Sequence, residues 1–146
     1  METATETRNF AFSFESSKTP EVIFETLIDV RKWWVGLFGE DIKGSSDKLN
    51  DEFTFDAGEG MHHTKHQLIE VIPNRKIVWL VTESKLSFVE KTDEWTNTKI
   101  SFEISKQGDK SIVTFTHEGL VPKFECYENC STAWTKYLEN LAKKLK

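Results

Sequence analysis

Cysteine is scarce in this chain of 146 residues, and the two present, Cys126 and Cys130, stand four apart. A helix is predicted there, and one helical turn does not bring such a pair into disulfide geometry, so free thiols are expected. Proline is rare as well, with three residues, and no stretch approaches the ~18 apolar residues of a membrane-spanning helix. Residues 1–8 are polar and lack the apolar run of a secretory signal. Together these absences lead to the expectation of a cytoplasmic protein without membrane insertion. Basic clusters are missing too, since 19 Lys and Arg against 24 Asp and Glu give a net charge of -5. Without a positive footprint interleaved with aromatics, nucleic acid is excluded as a partner. There is no nucleophile elbow, phosphate loop or glycine-rich dinucleotide fingerprint, and nothing repeats with a period of about 20–50 residues.

Aromatic residues, in contrast, are abundant: they make up 12% of the chain, with 11 Phe and 5 Trp. Such rings either fill a large core or line a pocket. The length suits one domain, expected over residues 9–146 behind a disordered or extended segment 1–8.

The end of the chain carries the clearest pattern. Tyr127, Cys130, Trp134, Tyr137, Leu138, Leu141 and Leu145 recur in steps of three and four, the stripe of an amphipathic helix. Pro122 suits the first helical position, Glu125 and Glu128 the positive end of the dipole, and Lys143, Lys144 and Lys146 the negative end. A helix over 122–146 would be about 35 Å long and needs a partner surface of that length.

Upstream, the alternation of Phe10, Phe12 and Phe14 predicts a strand over 9–16. Thr19 as N-cap and Pro20 then open a helix running to about residue 31, and a short second helix or turn is expected around Trp33, Trp34, Leu37 and Phe38. Strands are predicted over 52–57, 61–72, 76–83, 98–106 and 111–118, with a polar loop at 44–51. Residues 84–97 show no clear period, although Leu86, Phe88 and Val89 suit a short strand or extended loop. The fold class expected is α+β: an antiparallel curved sheet of six or seven strands wrapped around a long C-terminal helix, with two short helices after the first strand.

This order resembles the START-like (SRPBCC, helix-grip) superfamily, and within it the domain related to the activator of the ninety-kilodalton heat-shock protein's ATPase. The resemblance rests on the Phe-rich first strand, the Thr19-Pro20-Glu21 helix entry leading to Trp33-Trp34, and Glu70-Val71-Ile72-Pro73 before Lys76-Ile77-Val78-Trp79. Further along, Glu94-Trp95-Thr96-Asn97-Thr98, Thr114-Phe115-Thr116-His117-Glu118-Gly119-Leu120 and Trp134 carry it to the end. It implies a sheet that grips the last helix and commonly encloses an apolar cavity. The eukaryotic activator uses a separate amino-terminal domain for part of its chaperone work, and a chain of this length is expected to hold the helix-grip domain alone.

The chemistry-bearing residues are few. His62 and His66 point the same way on a strand, but four residues at about 3.3 Å each set their Cα atoms roughly 13 Å apart, too far for one ion. His63 and His117 can meet across the sheet near Cys130, as polar residues of a cavity wall. No metal and no cofactor is therefore expected. The candidate ligand-binding set is Phe55, His63, Trp79, Phe102, His117, Cys130, Trp134 and Tyr137, with Glu118 at the rim to orient a ligand. Trp79 and Trp134 are expected to face each other, and two or three of the tryptophans to border the cavity. Three readings follow. The first is a binder of a small apolar or amphipathic ligand, with no catalytic residues. The second is a module contacting a chaperone through an apolar patch at Trp33-Trp34 and Leu37-Phe38. The third is an enzyme of the cyclase or hydrolase kind, relying on Glu118, His117 or His63 as acid or base.

Overall fold

A computed structural model of the chain describes residues 9–87, 89–121, 124 and 127–146. The expected extended segment 1–8, the helix-start residues Pro122 and Glu125, Cys126 and Phe88 lie outside the described residues.

Alternating phenylalanines form β1 (Phe10–Ser16), paired with β7 (Lys110–Glu118) so that Phe10 meets His117 and Phe12 meets Phe115. The intervening strands are β2 (Asp41–Gly44), β3 (Glu52–Ala57), β4 (His62–Ile72), β5 (Lys76–Leu86) and β6 (Lys99–Gln107). All pairs are antiparallel, in the order β1-β7-β6-β5-β4-β3-β2, which makes a seven-stranded sheet. The edge strand β2 has no counterpart in the sequence prediction, because four residues carrying only one apolar side chain, Ile42, show no alternation.

Two helices complete the fold. α1 (Pro20–Ile28) is capped by the Thr19 hydroxyl, which accepts from Val22 N at 3.3 Å, with Pro20 in the first turn. It ends sooner than expected because Asp29 is extended, at φ -101° and ψ 98°, and its carboxylate instead caps a 3₁₀ turn, Val30–Lys32. That turn takes the place of the expected second short helix, and it delivers Trp33 and Trp34 into the interior at 4% and 3% exposure. α2 (Tyr127–Lys144) has 18 residues, which is about 27 Å. The Ser16 hydroxyl donates to Leu145 O just beyond it and ties its end to β1.

β5 also extends beyond its predicted end. The register between β4 and β5 shifts at Lys65/His66, where Thr82 is the extra residue, so inward positions change from Ile77, Trp79 and Val81 to Ser84 and Leu86. A break in period 2 reads as a strand end in sequence, whereas here it is a bulge. The core lies between the sheet's concave face and α2, where Trp79, Ile100, Phe102, Phe115, Leu138 and Leu141 are all buried.

Candidate functional site

Trp134 is the centre of the interior. Its ring stacks against Trp34 at 4.8 Å and Trp95 at 5.9 Å and tilts onto Phe115 at 4.6 Å between centroids. Offset contacts of this kind contribute about 0.5–1.5 kcal/mol each beyond area burial. On one side of this hub, toward the C-terminal half of α2, Trp33, Trp79 and Phe102 fill the space. On the other side, under the N-terminal half of α2, an open-sided pocket of about 440 Å³ remains.

Three regions build the pocket. β3 and the start of β4 supply Phe55, Ala57 and His62, with Gly58 and Met61 in the turn between them. The connections supply Trp34, Phe38 and Trp95. α2 contributes Cys130, Ala133, Trp134 and Tyr137 on an inner stripe and Asn129, Thr132 and Lys136 on an outer one. Small side chains at 130 and 133 leave the room that Leu138 and Leu141 occupy about two turns later.

The nine candidate residues separate into three groups. Phe55, Cys130, Trp134 and Tyr137 line the pocket. Trp79, Phe102 and His117 lie in the packed interior, each at 1% exposure or less. His63 and Glu118 face outward: His63 Nδ1 sits 2.6 Å from Asp56 Oδ1, and Glu118 is exposed opposite Lys99. The expected meeting of His63 with His117 therefore does not occur, because alternation along β4 turns His62, Thr64 and His66 inward and His63 outward. Trp79 and Trp134 do not face each other directly either, since Trp33 lies between them, 6.4 Å from each ring. Pocket residues that sequence reasoning did not assign include Trp34, His62 and Trp95.

His117 is locked by hydrogen bonds. Trp134 Nε1–H donates to its Nδ1 at 3.1 Å, and Thr98 Oγ1 lies 2.8 Å from its Nε2. Because the Thr98 hydroxyl donates to Trp95 O at 2.6 Å, it must accept from Nε2–H, which fixes the neutral tautomer. Burial, with His62 as a lesser contributor, pushes the His117 pKa down to about 3. Such an imidazole ties α2 to the β5–β6 connection and has neither a free lone pair nor a proton to give. His66, stacked on Phe53, is likewise held well below the usual imidazole range by burial, then by His62, His117 and His63. His62, set edge-on to Phe55 and Trp95, is lowered to about 4 by burial, with Asp56 opposing and His63 reinforcing the shift. Among the described residues, no group of three or more His, Cys, Asp or Glu could hold a metal ion.

Glu40 secures the pocket's outer loop. Its carboxylate accepts from the backbone N–H groups of Gly36, Leu37 and Phe38 at 2.7, 3.1 and 2.9 Å and from the Tyr137 hydroxyl. Burial pushes its pKa up, but hydrogen bonds from Tyr137, Phe38 and Leu37 outweigh it and leave the carboxyl below its ordinary value. Burial and this carboxylate raise the Tyr137 phenol. The loop thus closes against α2, with Phe38 edge-on to Tyr137 at 6.2 Å.

Residues 17–146 match the family described as Activator of Hsp90 ATPase homolog 1-like protein. The chain belongs to this family. Solved structures agree on the fold: the Aha1 dimer from Colwellia psychrerythraea is 22% identical, with a TM-score of 0.73, over 94% of this chain and 96% of that one. A Chromobacterium violaceum protein is 16% identical at TM-score 0.69, covering 94% and 97%. The AHSA1 protein from Silicibacter pomeroyi is 19% identical at TM-score 0.66, also covering 94% and 97%. No curated protein matches the sequence. Among the described residues, no helix of this family member is long and apolar enough to cross a membrane.

Proposed function

We propose that this Activator of Hsp90 ATPase homolog 1-like protein binds a small apolar or amphipathic molecule under the N-terminal half of α2, without covalent catalysis. The observation that supports this is the pocket of about 440 Å³, within the range of about 300–1,000 Å³ usual for small-molecule sites. Its walls are mainly aromatic and aliphatic, so an apolar body displaces water from Phe55, Trp34, Trp95 and Trp134 on entry. An acid–base role finds no support in the candidate histidines, since His117 has both nitrogens engaged and His63 faces outward. Titration with N-phenyl-1-naphthylamine, whose emission rises in apolar surroundings, tests the proposal. Binding should saturate and should be lost in Ala133→Trp, which places an indole in the pocket. Saturation unchanged by that substitution, or no saturable binding at all, refutes it.

A second reading, contact with a chaperone, draws on Phe38 and Met61 of the pocket lining, at 46% and 49% exposure, and on Val35 beside Trp34, at 38%. Trp33 and Trp34 are buried and cannot take part in such a patch. A chaperone's ATP turnover should then change on adding the wild type and change less with Phe38→Ser; an unaltered rate removes this reading.

A further inference from the structure

The pocket is lined asymmetrically. Its inner wall offers rings and small apolar groups, whereas the polar side chains of α2 that reach it, Asn129, Thr132 and Lys136, lie at i, i+3 and i+7 on one exposed stripe along the mouth. Among the described lining residues Lys136 is the sole charged group and none is a carboxylate; Glu40 and Asp56 stand behind the wall, the first engaged by Tyr137 and three backbone N–H groups and the second by His63. Of the other ionisable lining groups, burial presses His62 toward its neutral form and, with Glu40, keeps the Tyr137 phenol protonated, so neither carries charge at neutral pH. Among the described residues, Lys136 makes no ion pair within 4 Å.

A ligand entering this space meets charge of one sign at one place. A cationic head would sit beside like charge, with no carboxylate among the described lining residues to offset it. A charge carried deeper would lose its hydration among indoles and phenyl rings with nothing to replace it. An acid group that stays at the mouth keeps its water and gains the ammonium. We propose that the pocket takes an amphipathic anion, its ring-bearing or alkyl body against Trp34, Phe55, Trp95 and Trp134 and its acidic headgroup paired with Lys136 at the mouth. The inference rests on the pocket being a ligand site, and its test separates the two claims.

Two dyes share one apolar body: 8-anilinonaphthalene-1-sulfonate carries an acid group, and N-phenyl-1-naphthylamine lacks it. Both are titrated by fluorescence into the wild type, Lys136→Met, Lys136→Glu and Ala133→Trp. Lys136 is exposed, so its variants should fold as the wild type does. Lys136→Met should weaken the sulfonate dye about three- to fivefold, the scale of a partly exposed ion pair, and Lys136→Glu should weaken it further. The neutral dye should bind all three alike, and about 1 M salt should erase the difference for the sulfonate. If both dyes bind and Ala133→Trp abolishes both while the sulfonate is indifferent to position 136, the headgroup assignment is overturned and the pocket stands. If neither dye saturates, or Ala133→Trp leaves both unaffected, the pocket reading falls and the inference falls with it.

Discussion

The indole N–H of Trp134 is the donor that holds His117 Nδ1, so Trp134→Phe keeps a ring in the stack but strands a buried acceptor. A loss of about 1–3 kcal/mol is expected, measured as a lower urea midpoint at unchanged slope. A change below about 0.5 kcal/mol would mean the bond is incidental. The histidines also set a pH dependence. His62, His66 and His117 all have folded pKa values below the free value of 6.5, so the unfolded chain binds protons first as pH falls. Stability is therefore complete above pH ~6.5 and is lost on acidification through the window down to pH ~4, by up to about 1.4 kcal/mol per pH unit for each buried imidazole. Glu40, with its lowered carboxyl, adds a loss of the same sign at the acid end. Urea midpoints from pH 8 to 4 should fall steadily below 6.5; a flat profile would contradict neutral burial.

At the scale of elements, the Glu40–Tyr137 contact couples the loop after Trp34 to α2. Glu40→Gln and Tyr137→Phe should show a coupling of about 0.5–3 kcal/mol in a double-mutant cycle, whereas additive effects would show that loop and helix are independent. Gly119, between β7 and the run into α2, has φ +103°, and a Cβ there would lie 2.7 Å from Thr98 Cγ2. Gly119→Ala should therefore destabilise through both backbone strain and displacement of Thr98 from His117, visible as a lowered melting temperature. Elements with a sustained period were legible in the sequence: β1 from its phenylalanines, the β6–β7 hairpin, Thr19-Pro20 at α1, and the stripe of α2. β2 and the far end of β5 were not, because a four-residue edge strand has no period and a bulge inverts one. The site was less legible still. Leu68 shares its inward parity with His62, Thr64 and His66, but Ile69 and Val71 carry the opposite parity across a second register shift between Leu68 and Glu70, so alternation in the sequence of β4 does not single out which histidines turn inward. Trp34 and Trp95 lie in connections, where neither spacing nor alternation says which way a ring turns.

For the whole molecule, the two halves of α2 do different work. The half bearing Leu138 and Leu141 closes a filled core, and the half bearing Cys130 and Ala133 roofs a hollow. Trp134 stands at the boundary and belongs to both. Ligand entry should therefore be felt by one set of tryptophans and not the other, which indole N–H resonances of uniformly ¹⁵N-labelled protein can report during titration with N-phenyl-1-naphthylamine. Saturable shifts largest at Trp34, Trp95 and Trp134, with Trp79 unmoved, are the predicted result. Indole signals that stay in place, or that move most at Trp79, would contradict a ligand pocket beneath the first turns of the last helix.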